Sequence, residues 1–76
     1  MKLEFDYSKL KGRIKEKLDT QYALANLLNI SKVALSNKLE NKSRFSQNDI
    51  MTICKLLEIE PSEIHQYFFT LKVKKV

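Results

Sequence analysis

The sequence predicts a small all-α protein, a compact bundle of five short helices, and three observations carry that expectation. One Gly and one Pro in 76 residues leave too few chain breaks for a strand-and-turn architecture. Apolar residues recur at three- and four-residue intervals through most of the chain, the spacing of a single helix face. Short polar stretches separate these runs, with the connection lengths of an orthogonal helix bundle. A chain of this length folds as one domain, residues 1–76, around one modest core.

From Ser8 to Leu18 the apolar residues Leu10, Ile14 and Leu18 form one stripe among lysines, which reads as the first helix. Gly12 within it lowers helix propensity and implies either close packing or proximity to a partner. Asp19-Thr20 supplies N-cap chemistry for a second helix, Gln21 to Leu28, with Leu24, Ala25 and Leu28 inward. Asn29-Ile30-Ser31 interrupts the pattern. Asn29 tolerates the left-handed backbone that a tight turn demands, and Ser31 caps a third helix, Lys32 to Leu39, with Leu35 and Leu39 inward.

The polar stretch Glu40-Asn41-Lys42-Ser43-Arg44 reads as a solvent-facing loop. Ser46-Gln47-Asn48-Asp49 has the pattern of a capping box, and Ile50, Ile53, Cys54 and Leu57 give the fourth helix its apolar face. Pro61 suits the first position of a short fifth helix that carries Ile64, Tyr67 and Phe68 to the core. Lys2 to Asp6 and Phe69 to Lys74 alternate apolar and polar residues, so the termini are expected to pair as a small antiparallel ribbon of short strands, within a protomer or between protomers.

Charge is unevenly spread. Between Tyr7 and Arg44 stand Lys9, Lys11, Arg13, Lys15, Lys17, Lys32, Lys38, Lys42 and Arg44 against Glu16, Asp19 and Glu40. From Phe45 to Phe68 the balance reverses, with Lys55 the lone cation beside Asp49, Glu58, Glu60 and Glu63. A net charge of +5 with one basic half points to a polyanionic partner. Cys54 is the only cysteine, which excludes an internal disulfide, and it falls within the apolar stripe of the fourth helix, where a core role is expected. With His65 the only histidine, no zinc set can be assembled, and no cofactor is expected. No Gly-rich phosphate loop or nucleophile elbow is present, so the expectation is a binding protein and not an enzyme. Neither a signal peptide nor a membrane-spanning run is visible, which implies a cytoplasmic protein with no membrane partner.

The stretch from Thr20-Gln21 through Leu24-Ala25, Asn29-Ile30-Ser31 and Leu35-Ser36 to Leu39 resembles the helix-turn-helix of the phage-repressor/Cro (XRE-type) family. Each residue type has a mechanical reason. Ala25 is small where two helices cross, Ile30 fills the space beneath the turn, and Ser31 caps the recognition helix. Asn29 departs from the family, where Gly is usual. The chain as a whole resembles small Cro-like regulators of phages and prophages of Gram-positive bacteria.

The resemblance implies a lambda-repressor-like domain that binds double-stranded operator DNA as a homodimer and represses transcription. With Leu35 and Leu39 inward, helical spacing turns Val33 and Asn37 outward, flanked by Ala34, Ser36 and Glu40. By resemblance, Lys32, Val33, Ser36 and Asn37 meet base edges, and Gln21 anchors a phosphate. Lys38, Lys42, Ser43 and Arg44 are then expected to clamp phosphates. Dimerisation is placed on Phe69, Leu71 and Val73 in the tail 69–76. The alternative is a protein-interaction module of the same fold, an antirepressor or antitoxin acting through a partner such as another repressor. In that reading the fourth and fifth helices and the terminal strands supply the surface.

Overall fold

The computed structural model describes residues 3–72 as five α-helices and one short 3-10 turn. The helices are α1 Ser8–Leu18, α2 Gln21–Leu28, α3 Lys32–Leu39, α4 Gln47–Leu57 and α5 Ile64–Phe68. Ahead of α5, Pro61–Glu63 forms the 3-10 turn, so the expected fifth helix is divided. Pro61 opens it because its missing N–H is one that a helix start leaves unused.

Local chemistry starts three of these helices. The Thr20 hydroxyl accepts from the Ala23 N–H at 3.1 Å, and the Ser31 hydroxyl accepts from the Ala34 N–H at 3.0 Å. At α4 the box is reciprocal: Ser46 Oγ accepts from the Asp49 N–H, and the Asp49 carboxylate accepts from the Ser46 N–H, both at 3.0 Å. Burial pushes the Asp49 carboxyl up, but hydrogen bonds from Ser46 and Lys38 outweigh it and hold the group below its usual range. A carboxyl depressed by folding stabilises the native state above its unfolded pKa. This box therefore weakens as acid protonates Asp49.

Among the described residues four non-glycine positions, Asp19, Asn29, Asn41 and Glu58, adopt positive φ, and three of them end helices. Asn29, at φ 59 and ψ 40, is in the left-handed conformation that the turn between α2 and α3 was expected to require. The sole glycine lies elsewhere. A Cβ built on Gly12 would meet nothing within 4 Å, so of the two readings of this glycine, close packing or a nearby partner, the first does not hold. Gly12→Ala should therefore stabilise the protein by about 1 kcal/mol through helix propensity alone. Thermal melting checks this; at this size, the midpoint should rise by roughly 4–8 °C.

The core is made of Tyr7, Leu10 and Ile14 from the first helix and its entry, Leu24 and Ala25 from α2, and Leu35 and Leu39 from α3. Ile53, Cys54, Leu57 and Ile59 meet them from α4 and its exit, with Tyr67 and Phe68 from α5. Cys54 is buried as expected, and burial pushes its thiol pKa up, away from the reactive thiolate. Ala25 is 1% exposed beneath the α2–α3 turn, and the Ile30 N–H donates to its carbonyl at 3.0 Å.

The termini pair within the chain, antiparallel, but over a shorter length than expected. Instead of two strands, the described residues form one antiparallel bridge, Phe5 opposite Leu71. The Asp6 N–H donates to Thr70 at 2.7 Å and the Lys72 N–H to Glu4 at 3.0 Å. Asn41, read as part of a solvent-facing loop, is 4% exposed. Its carboxamide accepts from the Phe5 N–H at 2.8 Å and donates to the Phe5 carbonyl at 3.0 Å. One side chain thus takes the place of a neighbouring strand on the inner edge of the ribbon.

Candidate functional site

α3 lies across α2 with its inner stripe, Leu35 and Leu39, sealed in the core. The outward residues follow from that anchoring. Lys32 is exposed and Val33 is 69% exposed, while Ser36, Asn37 and Gln21 are half-buried. None of the four expected base readers is in the interior. Asn37 also serves the fold, because its carbonyl accepts from the Lys42 N–H at 2.8 Å and from Ser43 at 3.3 Å.

The expected phosphate clamps are placed differently from one another. Lys38 turns towards the protein: its ammonium donates to the Arg44 carbonyl at 3.0 Å, pairs with Asp49 at 3.3 Å and stands 5.9 Å from the Phe45 ring centre. Arg44 donates to the Leu3 carbonyl at 2.7 Å and stacks over Phe5. Lys42 is exposed but reaches Glu40 at 3.4 Å, and Ser43 is exposed. Ser36 donates its hydroxyl to the other Glu40 oxygen at 2.8 Å. Hydrogen bonds from Ser36 and then Lys42, with the charge of Lys42, hold the Glu40 carboxyl below its usual range.

The cations of α1 are also largely engaged. Arg13 donates from Nε to the Leu57 carbonyl at 2.9 Å and from Nη2 to the Glu58 carbonyl at 3.0 Å, closing the C-terminus of α4. Lys9 donates to Gln66 and sits over Tyr67, Lys15 pairs with Asp19, and Lys17 with Glu58. Among the described residues, Lys9, Lys11, Lys32, Arg44, Lys55 and Lys72 carry no ion pair, and of these only Lys9 and Arg44 make a side-chain hydrogen bond. The sequence signal of a basic half is real in charge, but most of it is spent on the fold. The pairs of Lys15 with Asp19 and of Lys42 with Glu40 are local, whereas those of Lys9, Arg13 and Lys17 join distant residues and do not show in spacing along the chain.

A second surface surrounds the terminal ribbon. Leu3, Phe69 and Leu71 are 51%, 43% and 51% exposed, three of the seven large apolar side chains that remain outside among the described residues. Beside them opens a cavity of about 100 Å³ lined by Phe5, Tyr7, Arg44, Phe45, Ile50, Phe68 and Phe69. Its walls are edge-to-face aromatic pairs: Tyr7 with Phe45 at 5.4 Å, Phe45 with Phe68 at 5.5 Å and Phe5 with Phe69 at 6.1 Å. The bridge geometry aims the Leu71 N–H and carbonyl away from Phe5. Neither has a backbone partner among the described residues. Of the expected dimer residues, Phe69 and Leu71 lie here, and Val73 is outside the described residues. The sequence pattern flagged the tail, whereas the cavity depends on Arg44, Phe45 and Ile50, which no periodicity connects to it.

Among the described residues, no group of three His, Cys, Asp or Glu side chains is placed to hold a metal ion. No helix among them is long and apolar enough to cross a membrane.

Comparison with known proteins adds three findings. The family model described as a protein of unknown function, DUF739, matches residues 3–71. No curated protein sequence matches the chain. Among solved structures, the chain is similar to the modulator of repression (MOR) of the temperate bacteriophage TP901-1 from Lactococcus lactis, determined in solution. The TM-score is 0.77 and the sequence identity 38%, over 92% of this chain and 95% of that one.

Proposed function

We propose, starting from the fact that this chain belongs to the DUF739 family, that it is a phage-type regulator of repression that acts by contacting a repressor protein. The likeness to a modulator of repression carries this reading, because it spans nearly the whole of both chains. Two features of the molecule support it. The cations that would clamp phosphates are mostly held by the protein's own carbonyls, carboxylates and rings. The terminal ribbon and its aromatic cavity present an apolar patch of the kind protein partners cover.

In this reading Leu71 offers an open strand edge, and Phe69 and the cavity receive an apolar side chain of the partner, the arrangement of strand addition. Purified protein mixed with the repressor it modulates should elute as a stable complex of defined mass. Leu71→Asp should weaken that complex at least tenfold, or about 1.4 kcal/mol, with an unchanged melting temperature. A variant that still binds fully would remove the ribbon from the interface. If the protein alone has twice its chain mass, and Leu71→Asp halves it, a second copy covers the patch, as in the homodimer expected from the sequence.

The exposure of Lys32 and Val33 at the capped start of α3 favours a second reading, direct contact with operator DNA by a helix-turn-helix. Selection from random duplexes tests it by recovering, or failing to recover, one preferred sequence. If a sequence emerges, Asn37→Ala should relax preference at one base pair, with a loss of about 1–3 kcal/mol.

A further inference from the structure

We propose that Glu40 determines the specificity of α3's outward face, setting it against duplex DNA and so leaving the protein to act through a protein partner. The inference deepens the partner reading above and rests on it.

Glu40 ends α3 on the side away from the core, in line with the outward residues Val33, Ser36 and Asn37. It is exposed, and it disables two neighbours that a DNA-binding helix would use. Ser36 Oγ gives its only proton to Glu40 Oε2 at 2.8 Å, so that hydroxyl donates to no base. Lys42 Nζ lies 3.4 Å from Glu40 Oε1, so the carboxylate competes with a phosphate for it. Lys38 is turned to Asp49 and the Arg44 carbonyl, and Arg44, though exposed, donates to the Leu3 carbonyl. What remains on the face is Lys32 at one end and a carboxylate at the other. A nucleic-acid surface presents a phosphate charge every ~1.7 Å of helix axis, and a fixed carboxylate beside it is repelled. A protein surface carries no such uniform charge. Building repulsion against the wrong ligand is an effective route to discrimination.

The test is Glu40→Gln, which keeps the size and an acceptor for Ser36 while removing the charge. The probe is a mixed-sequence duplex of about 20 base pairs, titrated by fluorescence anisotropy over a series of salt concentrations. Relative to the parent, E40Q should bind about three- to tenfold more tightly at 0.1 M salt. The dependence of log K on log salt should steepen by about 0.9, as Lys42 gains a phosphate. Adding Lys42→Ala to E40Q should cancel that increment. Ser36→Ala, which leaves the carboxylate in place, should change affinity less than about twofold.

Equal affinity and slope for parent and E40Q would overturn the inference, as would no detectable DNA binding by either. Binding to the repressor is measured in parallel. A gain in DNA affinity by E40Q, with no repressor binding by the parent, supports the role of Glu40 and refutes the partner reading. Repressor binding with no gain does the reverse.

Discussion

Asn41→Ala is expected to lower stability by about 3 kcal/mol, from two orphaned backbone groups and a left-handed alanine. Asn41 stands at φ 67, where an Asn is far better tolerated than an Ala. Its carboxamide satisfies both the N–H and the C=O of Phe5, and those groups have no backbone partner on that side. Without it, the segment from Leu3 to Asp6 is held by two hydrogen bonds to the C-terminal segment, one from Arg44 and the two that the Asp6 carboxylate accepts from Ser8. The thermal midpoint should fall by roughly 12–24 °C for a domain of this size. Asn41→Gly separates the contributions, since it removes the hydrogen bonds but accepts the backbone angle; it should be less damaging than Ala. If both variants melt with the parent, the N-terminal segment does not depend on Asn41.

Arg13→Met is the second large effect, about 2 kcal/mol, because charge-assisted hydrogen bonds to two helix-end carbonyls are lost together. Methionine keeps the aliphatic stem packed between α1 and α4, so the change isolates the guanidinium. Leu57 and Glu58 end α4 in a turn whose last residue is left-handed at φ 56, and Arg13 bonds both carbonyls from a position 44 and 45 residues away. The same substitution should leave nucleic-acid affinity nearly unchanged, since this cation is spent inside the fold. Urea unfolding monitored by circular dichroism measures the first effect; the duplex titration measures the second. A stable variant with sharply reduced DNA binding would reverse the assignment and return Arg13 to a binding face.

These two residues also mark the limit of what the sequence discloses. α1 to α4 are legible because helix periodicity, Thr20, Ser31 and the Ser46–Asp49 box are local signals, each settled within four residues. Asn29 is legible for the same reason: a left-handed turn residue announces itself between two apolar runs. Asn41 is not, because an Asn in the company of Glu40, Lys42 and Arg44 has the composition of a surface loop. Only its pairing with Phe5, 36 residues away, shows that it is buried. Arg13 and Lys38 read as free positive charges until α4 and the loop before it are packed against them. The outward face of α3 follows from the positions of Leu35 and Leu39, whereas the clasp of Ser36 and Lys42 on Glu40 needs side-chain geometry. The ribbon is legible as alternation at both ends of the chain, but its collapse to one bridge is not. The aromatic cavity beside it takes residues from four parts of the chain.

On the proposed reading, much of this protein's positive charge is engaged by its own side chains and carbonyls, which disfavours a nucleic acid as its main partner. The salt dependence of duplex DNA binding by the unaltered protein measures that engagement directly. Among the described residues Lys11, Lys32, Lys55 and Lys72 have neither an ion pair nor a side-chain hydrogen bond, and of these only Lys32 stands at the start of α3; we expect weak binding whose log–log slope is no steeper than about −2 and which shows no sequence preference. A slope of about −5 or steeper, with one sequence bound far above the rest, would mean that the paired cations turn outward to phosphates and that α3 reads DNA.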